Sequence, residues 1–160
     1  MNEIRRKIYN LEINEVIEKD HWLGIHTSIE PYQLAFFINQ NSQLRLSRSK
    51  KDVFNEKKQS VFQLFEWVDP TNDITCNLIS NKFILEKNER ELNNNVLFKL
   101  PERNELYLID EFKHVDFLFR SSNEITIKSI QYLLIEEPRM SLVYTIPEEK
   151  IKNKLNLIFQ

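Results

Sequence analysis

Three titratable side chains of complementary chemistry fall in one short stretch of the chain: Glu111, His114 and Asp116. A carboxylate, an imidazole and a second carboxylate can together move a proton or hold a cation, and two carboxylates in unequal surroundings can do acid/base work on a hydrolysable bond. Such chemistry requires convergence in space, and nothing in the spacing sets the separation of Glu111 and Asp116. The plainer expectation is that these groups end strands and satisfy backbone donors, as polar side chains at turns commonly do. His21 and His26 are offset so that a strand points them to opposite faces. They make no ligand pair, and a metal centre needs three or four converging donors. Cys76 stands between Thr75 and Asn77 without a local base to generate thiolate, so it is expected to pack. No catalytic, cofactor-binding or metal-ligating residue is assigned. The chain is read as a non-enzyme, with a small enzyme built on Glu111, His114 and Asp116 as an alternative.

Composition narrows the field further. The chain has 160 residues and one glycine, Gly24. A P-loop needs two glycines and a dinucleotide fingerprint three, because only a residue without a Cβ lets backbone close on phosphate. Neither can be built here, nor can a G-x-S-x-G nucleophile elbow. A single cysteine allows no intramolecular disulfide and no thiolate cluster. A net charge of -2 gives no whole-chain attraction to nucleic acid or to an anionic membrane surface. No apolar run reaches the roughly 18 residues that a bilayer span requires. The opening MNEIRRKIYNLEINE lacks the apolar core of a signal peptide. The expectation is a cytoplasmic protein with no cofactor and no membrane partner.

Two surface signals point towards recognition. Residues 43–58 carry Arg45, Arg48, Lys50, Lys51, Lys57 and Lys58 against Asp52 and Glu56. Such a stretch suits the acidic face of a protein or, as the alternative, RNA phosphates. No series of stacking aromatics is interleaved with it, and no RNP pattern, KH loop or zinc knuckle accompanies it. The second signal is the arm Ser60–Val68, with Phe62 and Leu64 on one face and Val61, Phe65 and Trp67 on the other. That pattern fits a strand covered on both sides, or one whose Phe65 and Trp67 are left as anchors for a partner. The remaining aromatics, Phe36 and Tyr132 among them, are expected mostly in the core.

The elements that must carry these residues can be read from periodicity and punctuation. His21–Thr27 reads as a strand. Pro31 opens a helix, with Ser28 as its candidate cap and an LAFFIN run apolar on nearly all sides, hence buried. Leu44–Ser47 alternates like a strand. Ser60–Val68 and Ile74–Phe83 form a hairpin about Asp69-Pro70-Thr71-Asn72-Asp73. Residues 86–103 read as a loop, with a short apolar break at 96–100. Glu105–Ile109 and Val115–Arg120 read as strands. Ser122 or Asn123 caps a helix with Ile127, Ile130, Leu133 and Leu134 at helical spacing. Met140–Thr145 is a further strand, and Pro147-Glu148-Glu149 opens a last helix with Ile151 and Leu155 inward. Residues 6–13 fit a short strand or a helix. The expected class is a single α+β domain over residues 1–160, with a mainly antiparallel sheet of about five to six strands and about three helices.

One stretch carries a resemblance. Ile109-Asp110-Glu111, followed after three residues by Val115-Asp116-Phe117, resembles the signature of the IPExxxVDY family of small bacterial proteins. LGIHTSIEPYQLAFFIN, FQLFEWVD, LISNK and the terminal NLIF look like the same family's pattern. Asp110 stands where the family has proline, and Phe117 where it has tyrosine. The resemblance implies no established activity and brings no catalytic residues. Loss of the proline ring and of the phenol hydroxyl implies that Ile109, Asp110, Glu111, Val115, Asp116 and Phe117 shape a turn rather than perform chemistry.

Overall fold

A computed structural model of the chain describes residues 19–86 and 103–152. Strand β1 (His21–Thr27) leads into helix α1 (Pro31–Asn41). Six short strands follow: β2 (Ser47–Arg48), β3 (Val53–Asn55), β4 (Ser60–Phe62), β5 (Leu64–Asp69), β6 (Ile74–Ser80) and β7 (Lys82–Glu86). After β8 (Arg103–Tyr107) come a 3-10 turn at Asp110–Phe112, β9 (Phe117–Ser121), α2 (Glu124–Ile135), β10 (Met140–Ile146) and α3 (Glu148–Lys152). The main sheet has six strands in the order β10-β1-β9-β6-β5-β2, and every pairing is antiparallel. Two ribbons, β3–β4 and β7–β8, stand beside it. This is the expected α+β class. The possible strand at 6–13, the loop at 87–102, Leu155 and the terminal NLIF lie outside the described residues.

The sheet is apolar on both faces because its central strands alternate between two cores. On one face Leu23, Ile25, Leu78, Phe117 and Phe119 pack under Leu34 and Ile38 of α1 and Ile127, Ile130 and Leu134 of α2. On the other face Trp22, Ile79 and Leu118 pack with Val53, Phe62, Leu108, Ile109, Val115 and Ile151.

Helix α1 starts at Pro31, whose missing N–H would have no intrahelical partner there. Its cap is Glu30, not Ser28: the Glu30 N–H donates to Gln33 Oε1 at 3.2 Å, and Ser28 lies in a bend before it. Its far end is closed by Ser42 Oγ donating to the Ile38 carbonyl at 2.6 Å. Helical geometry buries Leu34, Ala35 and Ile38 but leaves Phe36 66% exposed, so LAFFIN is not buried all round. In α2 the cap is Asn123, which accepts from the Thr126 N–H at 2.9 Å. Ser122 instead accepts from Thr75 N–H across the sheet.

The expected hairpin is present as β5–β6, and its turn is built from side chains. The Asp69 carboxylate accepts from Thr71 N–H at 3.0 Å and from the Asn72 side-chain amide at 2.6 Å. Asp73 takes the left-handed position (φ 53°) that glycine would fill in a glycine-rich chain. Both arms are shorter than expected. One leaves the main sheet at Gln63 to become β4, and the other leaves at Asn81 to become β7. The expected strand at Glu105–Ile109 is shifted to Arg103–Tyr107, because Leu108 and Ile109 drop into the second core.

Candidate functional site

The signature stretch is organised by one buried amide. Asn81 is fully buried between β6 and β7. Its backbone N–H donates to the Asp116 carbonyl, and its carbonyl accepts from Leu108 N–H, each at 2.8 Å. Its side-chain NH2 donates to the carbonyls of Phe112 (2.9 Å) and Val115 (2.8 Å), and its Oδ1 accepts from Ile109 N–H (3.0 Å). The segment from Leu108 to Asp116 is thus wrapped around one side chain whose donors and acceptor are all satisfied.

The three residues offered by spacing as an acid/base set take different places. Glu111 and His114 are exposed. Asp116 is turned towards β1, where its Oδ2 accepts from Thr27 N–H at 3.0 Å and pairs with His26 Nδ1 at 2.6 Å. The histidine beside Asp116 is therefore His26, supplied by a neighbouring strand. Asp110 is exposed and pairs with Lys58 Nζ at 2.7 Å, while Lys58 also donates to the Tyr107 carbonyl. Ile109, Val115 and Phe117 are core residues.

Asp116 borders a groove of about 550 Å³ where the hairpin arms part from the main sheet. Ser28 to Pro31 at the start of α1, Arg48, Asp52 and Lys82 also line it. Its charged side chains other than Glu30 have partners. Arg48 forks onto Asp52, with Nη2–Oδ2 at 2.6 Å, and Lys82 meets Glu105 at 2.7 Å. The Arg48 hydrogen bond holds the Asp52 carboxyl below the usual carboxylate range, against the opposing effect of burial. Among the described residues, no group of three or more His, Cys, Asp or Glu side chains is placed to hold a metal ion.

The Arg48–Asp52 pair has a pH signature. A folded carboxyl that is more acidic than its unfolded counterpart adds stability above the unfolded pKa, and that stability is lost as pH falls through the folded pKa. Arg48 is well exposed, so screening keeps the effect small, about 0.5 kcal/mol at neutral pH. Asp52→Asn should lower the urea midpoint at pH 7, and the two proteins should converge at acid pH, once pH has fallen through the lowered pKa of the folded carboxyl. An equal gap at both pH values would contradict the assignment.

The basic stretch is largely committed to the fold. Arg45 donates to the carbonyls of Asn39, Ser42 and Leu44 beyond the end of α1. The Arg48 guanidinium lies 5.6 Å over the Phe65 ring, besides holding Asp52. Lys58 is paired as described. Lys50, Lys51 and Lys57 are exposed, with no ion pair among the described residues. The aromatic anchors proposed beside them also change place. Phe65 is 7% exposed and Trp67 half-buried, because the alternation of β5 turns both towards the helical layer. The Phe65 and Trp67 rings are part of the core face and not a surface left for a partner. Cys76 is buried, its thiol is pushed up by burial, and its sulfur lies 3.4 Å from Ser121 Oγ.

The exposed apolar surface lies elsewhere. On α1, Tyr32 and Phe36 are 63% and 66% exposed, one helical turn apart. They rim a depression of about 630 Å³ with Phe37 and Arg139. The Arg139 guanidinium sits 5.6 Å over Phe37 and is held by Glu137. On the outward side of α2, Ile125, Tyr132 and Ile135 are also exposed. Tyr32 and Phe36 were legible as an i, i+4 pair. The density of apolar neighbours hid which side of the helix they occupy.

No helix among the described residues is long and apolar enough to cross a membrane. No protein-family model matches the chain, and no solved structure matches it. The chain is similar to the Trigger factor of Mycoplasmopsis synoviae (strain 53), with 28% identity over 126 residues. That similarity covers 76% of this chain and 25% of the Trigger factor, so the chain corresponds to about a quarter of the relative's length.

Proposed function

We propose that this chain is a non-enzymatic interaction module that binds apolar segments of other proteins across the outer side of α1 and α2. The observation that carries this reading is the exposure of Tyr32 and Phe36 at the rim of a depression floored by an aromatic ring and bordered by a guanidinium. Large aromatics and arginine are the side chains that most often dominate protein interfaces. Neither Tyr32 nor Phe36 is needed by the core, which α1 supplies through Leu34, Ala35 and Ile38. The partial likeness to a Trigger factor is compatible with a role in contacts with other proteins. The signature resemblance to the IPExxxVDY family, which brings no activity, fits the same reading. So does the internal matching of charge, Glu30 apart, in the Asp116 groove.

The test is binding of the purified protein to an array of short peptides of graded apolar and aromatic content, with an RNA oligonucleotide as the competing ligand. Aromatic-rich peptides are expected to bind, and Tyr32→Ser with Phe36→Ser is expected to weaken them at least about tenfold at unchanged thermal midpoint. Equal binding by the double variant, or binding of RNA alone through Lys50 and Lys51, would overturn the proposal.

A further inference from the structure

Strands β4 and β7 continue the two arms of the β5–β6 hairpin, but each pairs outwards, β4 with β3 and β7 with β8. The last rung between the arms is Ser80 N–H donating to the Gln63 carbonyl at 2.9 Å. Beyond it the inner edges of β4 and β7 belong to separate ribbons and share no ladder. Backbone groups alternate sides along a strand. The Asn81 carbonyl bonds Leu108 on the β8 side, so Lys82 and Ile84 turn their N–H and C=O groups inwards. On the other arm the Gln63 carbonyl bonds Ser80, so Val61 turns inwards as well. No described residue takes these inward backbone groups.

Val61 on one arm and Ser80, Lys82 and Ile84 on the other line the groove that Asp116 borders, and Ile29 and Phe117 add to its apolar wall. Val61 and Ile84 are 42% and 46% exposed. Ser80 is 6% exposed, and its hydroxyl, where the arms part, has no hydrogen-bond partner among the described residues. Buried hydroxyls are normally paired, so this one marks the place of a ligand's polar group. Both cations that line the groove are already held, Arg48 by Asp52 and Lys82 by Glu105, so neither is free for a phosphate or carboxylate. The open N–H and C=O groups of a strand edge are met by another strand, and apolar groups beside them by its alternate side chains. We infer that the groove takes an extended, apolar segment of a partner polypeptide, which adds to β7 as a further strand, faces Val61 across the groove and gives Ser80 its hydrogen bond. The site shares no lining residue with the Tyr32–Phe36 depression and does not depend on that reading.

The experiment is calorimetric titration of the full-length chain with capped peptides of about six residues that alternate valine, isoleucine or leucine with threonine. Binding is expected, and the same peptides N-methylated along the backbone, which keep their side chains and lose their donors, should not bind. Ile84→Pro removes an N–H that β8 does not use, so the thermal midpoint should hold while affinity falls about tenfold or more. Ile84→Val keeps that N–H and should bind as the natural chain does. Ser80→Ala should weaken binding about fivefold and leave the midpoint of the free protein unchanged or higher, because the hydroxyl it removes has no partner there. If Ile84→Pro lowers the midpoint, the N-methylated peptides decide. Equal binding by those peptides, or no binding by any peptide of the set, would overturn the inference. Protection of the Lys82 and Ile84 amides from hydrogen exchange in the free protein would also overturn it, by showing that the chain covers its own edge. Tyr32→Ser with Phe36→Ser should leave this binding unchanged, and its loss there would move the peptide to the other surface and overturn the groove site.

Discussion

Replacing Asn81 by leucine is expected to destabilise the protein by about 3 kcal/mol. The side chain makes three hydrogen bonds in a fully buried site. Leucine keeps the volume but leaves Ile109 N–H and the Val115 carbonyl without the partner that replaced water, and takes one of two donors from the Phe112 carbonyl, which keeps Val115 N–H. Each abandoned group in such a place costs roughly 1–3 kcal/mol. The apolar gain of the leucine, about 2 kcal/mol at most, offsets only part of the total. Asn81→Asp tests the direction of the bonds: it keeps the acceptor for Ile109, loses both donors and buries a charge, so it should be at least as damaging. Urea unfolding midpoints measure both. A loss under about 1.5 kcal/mol for Asn81→Leu would show that the segment from Leu108 to Asp116 holds its shape without the amide.

The second large effect is expected at Gly24. It is the only glycine in the chain, and it lies in the middle of β1. Its requirement is for space and not for an unusual dihedral, since its φ is not positive. A Cβ there would lie 3.0 Å from Ile146 Cδ1, 3.0 Å from Val115 Cγ2 and 3.1 Å from Tyr144 Cζ. Alanine asks three side-chain ends to give by a few tenths of an ångström, and about 1 kcal/mol is expected. Valine adds two methyl groups to the same closed space and should cost about 3 kcal/mol. The better strand propensity of valine, about 1 kcal/mol, does not reverse that sign. At this size the thermal midpoint should fall by roughly 10 °C for Gly24→Val. Adding Ile146→Val, which removes the crowding methyl, should restore part of the loss. A neutral or stabilising Gly24→Val would mean that β1 and β10 can slide apart at no cost.

The two substitutions differ in how legible their sites are. Gly24 is conspicuous in a chain that otherwise avoids glycine, but its three neighbours come from β10 and from the residue before Asp116. Asn81 is one of many asparagines, and nothing local sets it apart. Its partners lie 28 to 34 positions away.

Local chemistry settled much of the architecture in advance. The Asp69–Asp73 turn, Pro31 at the head of α1, Asn123 at the head of α2 and the Ile127–Ile130–Leu134 stripe each act within a few residues. The α+β class follows from their order. Tertiary structure alone decided the rest. The main sheet places β9 between β1 and β6, and that insertion turns Asp116 to His26 rather than to His114. The departure of both hairpin arms at Gln63 and Asn81 splits one amphipathic pattern between two cores. Lys58 looks free along the chain and becomes partnered only when Asp110, 52 positions on, is brought beside it. Caps and turns are written in neighbouring side chains, whereas the pairing of a charge or a buried amide depends on which strands lie side by side, and strand order is not encoded in any short window of sequence.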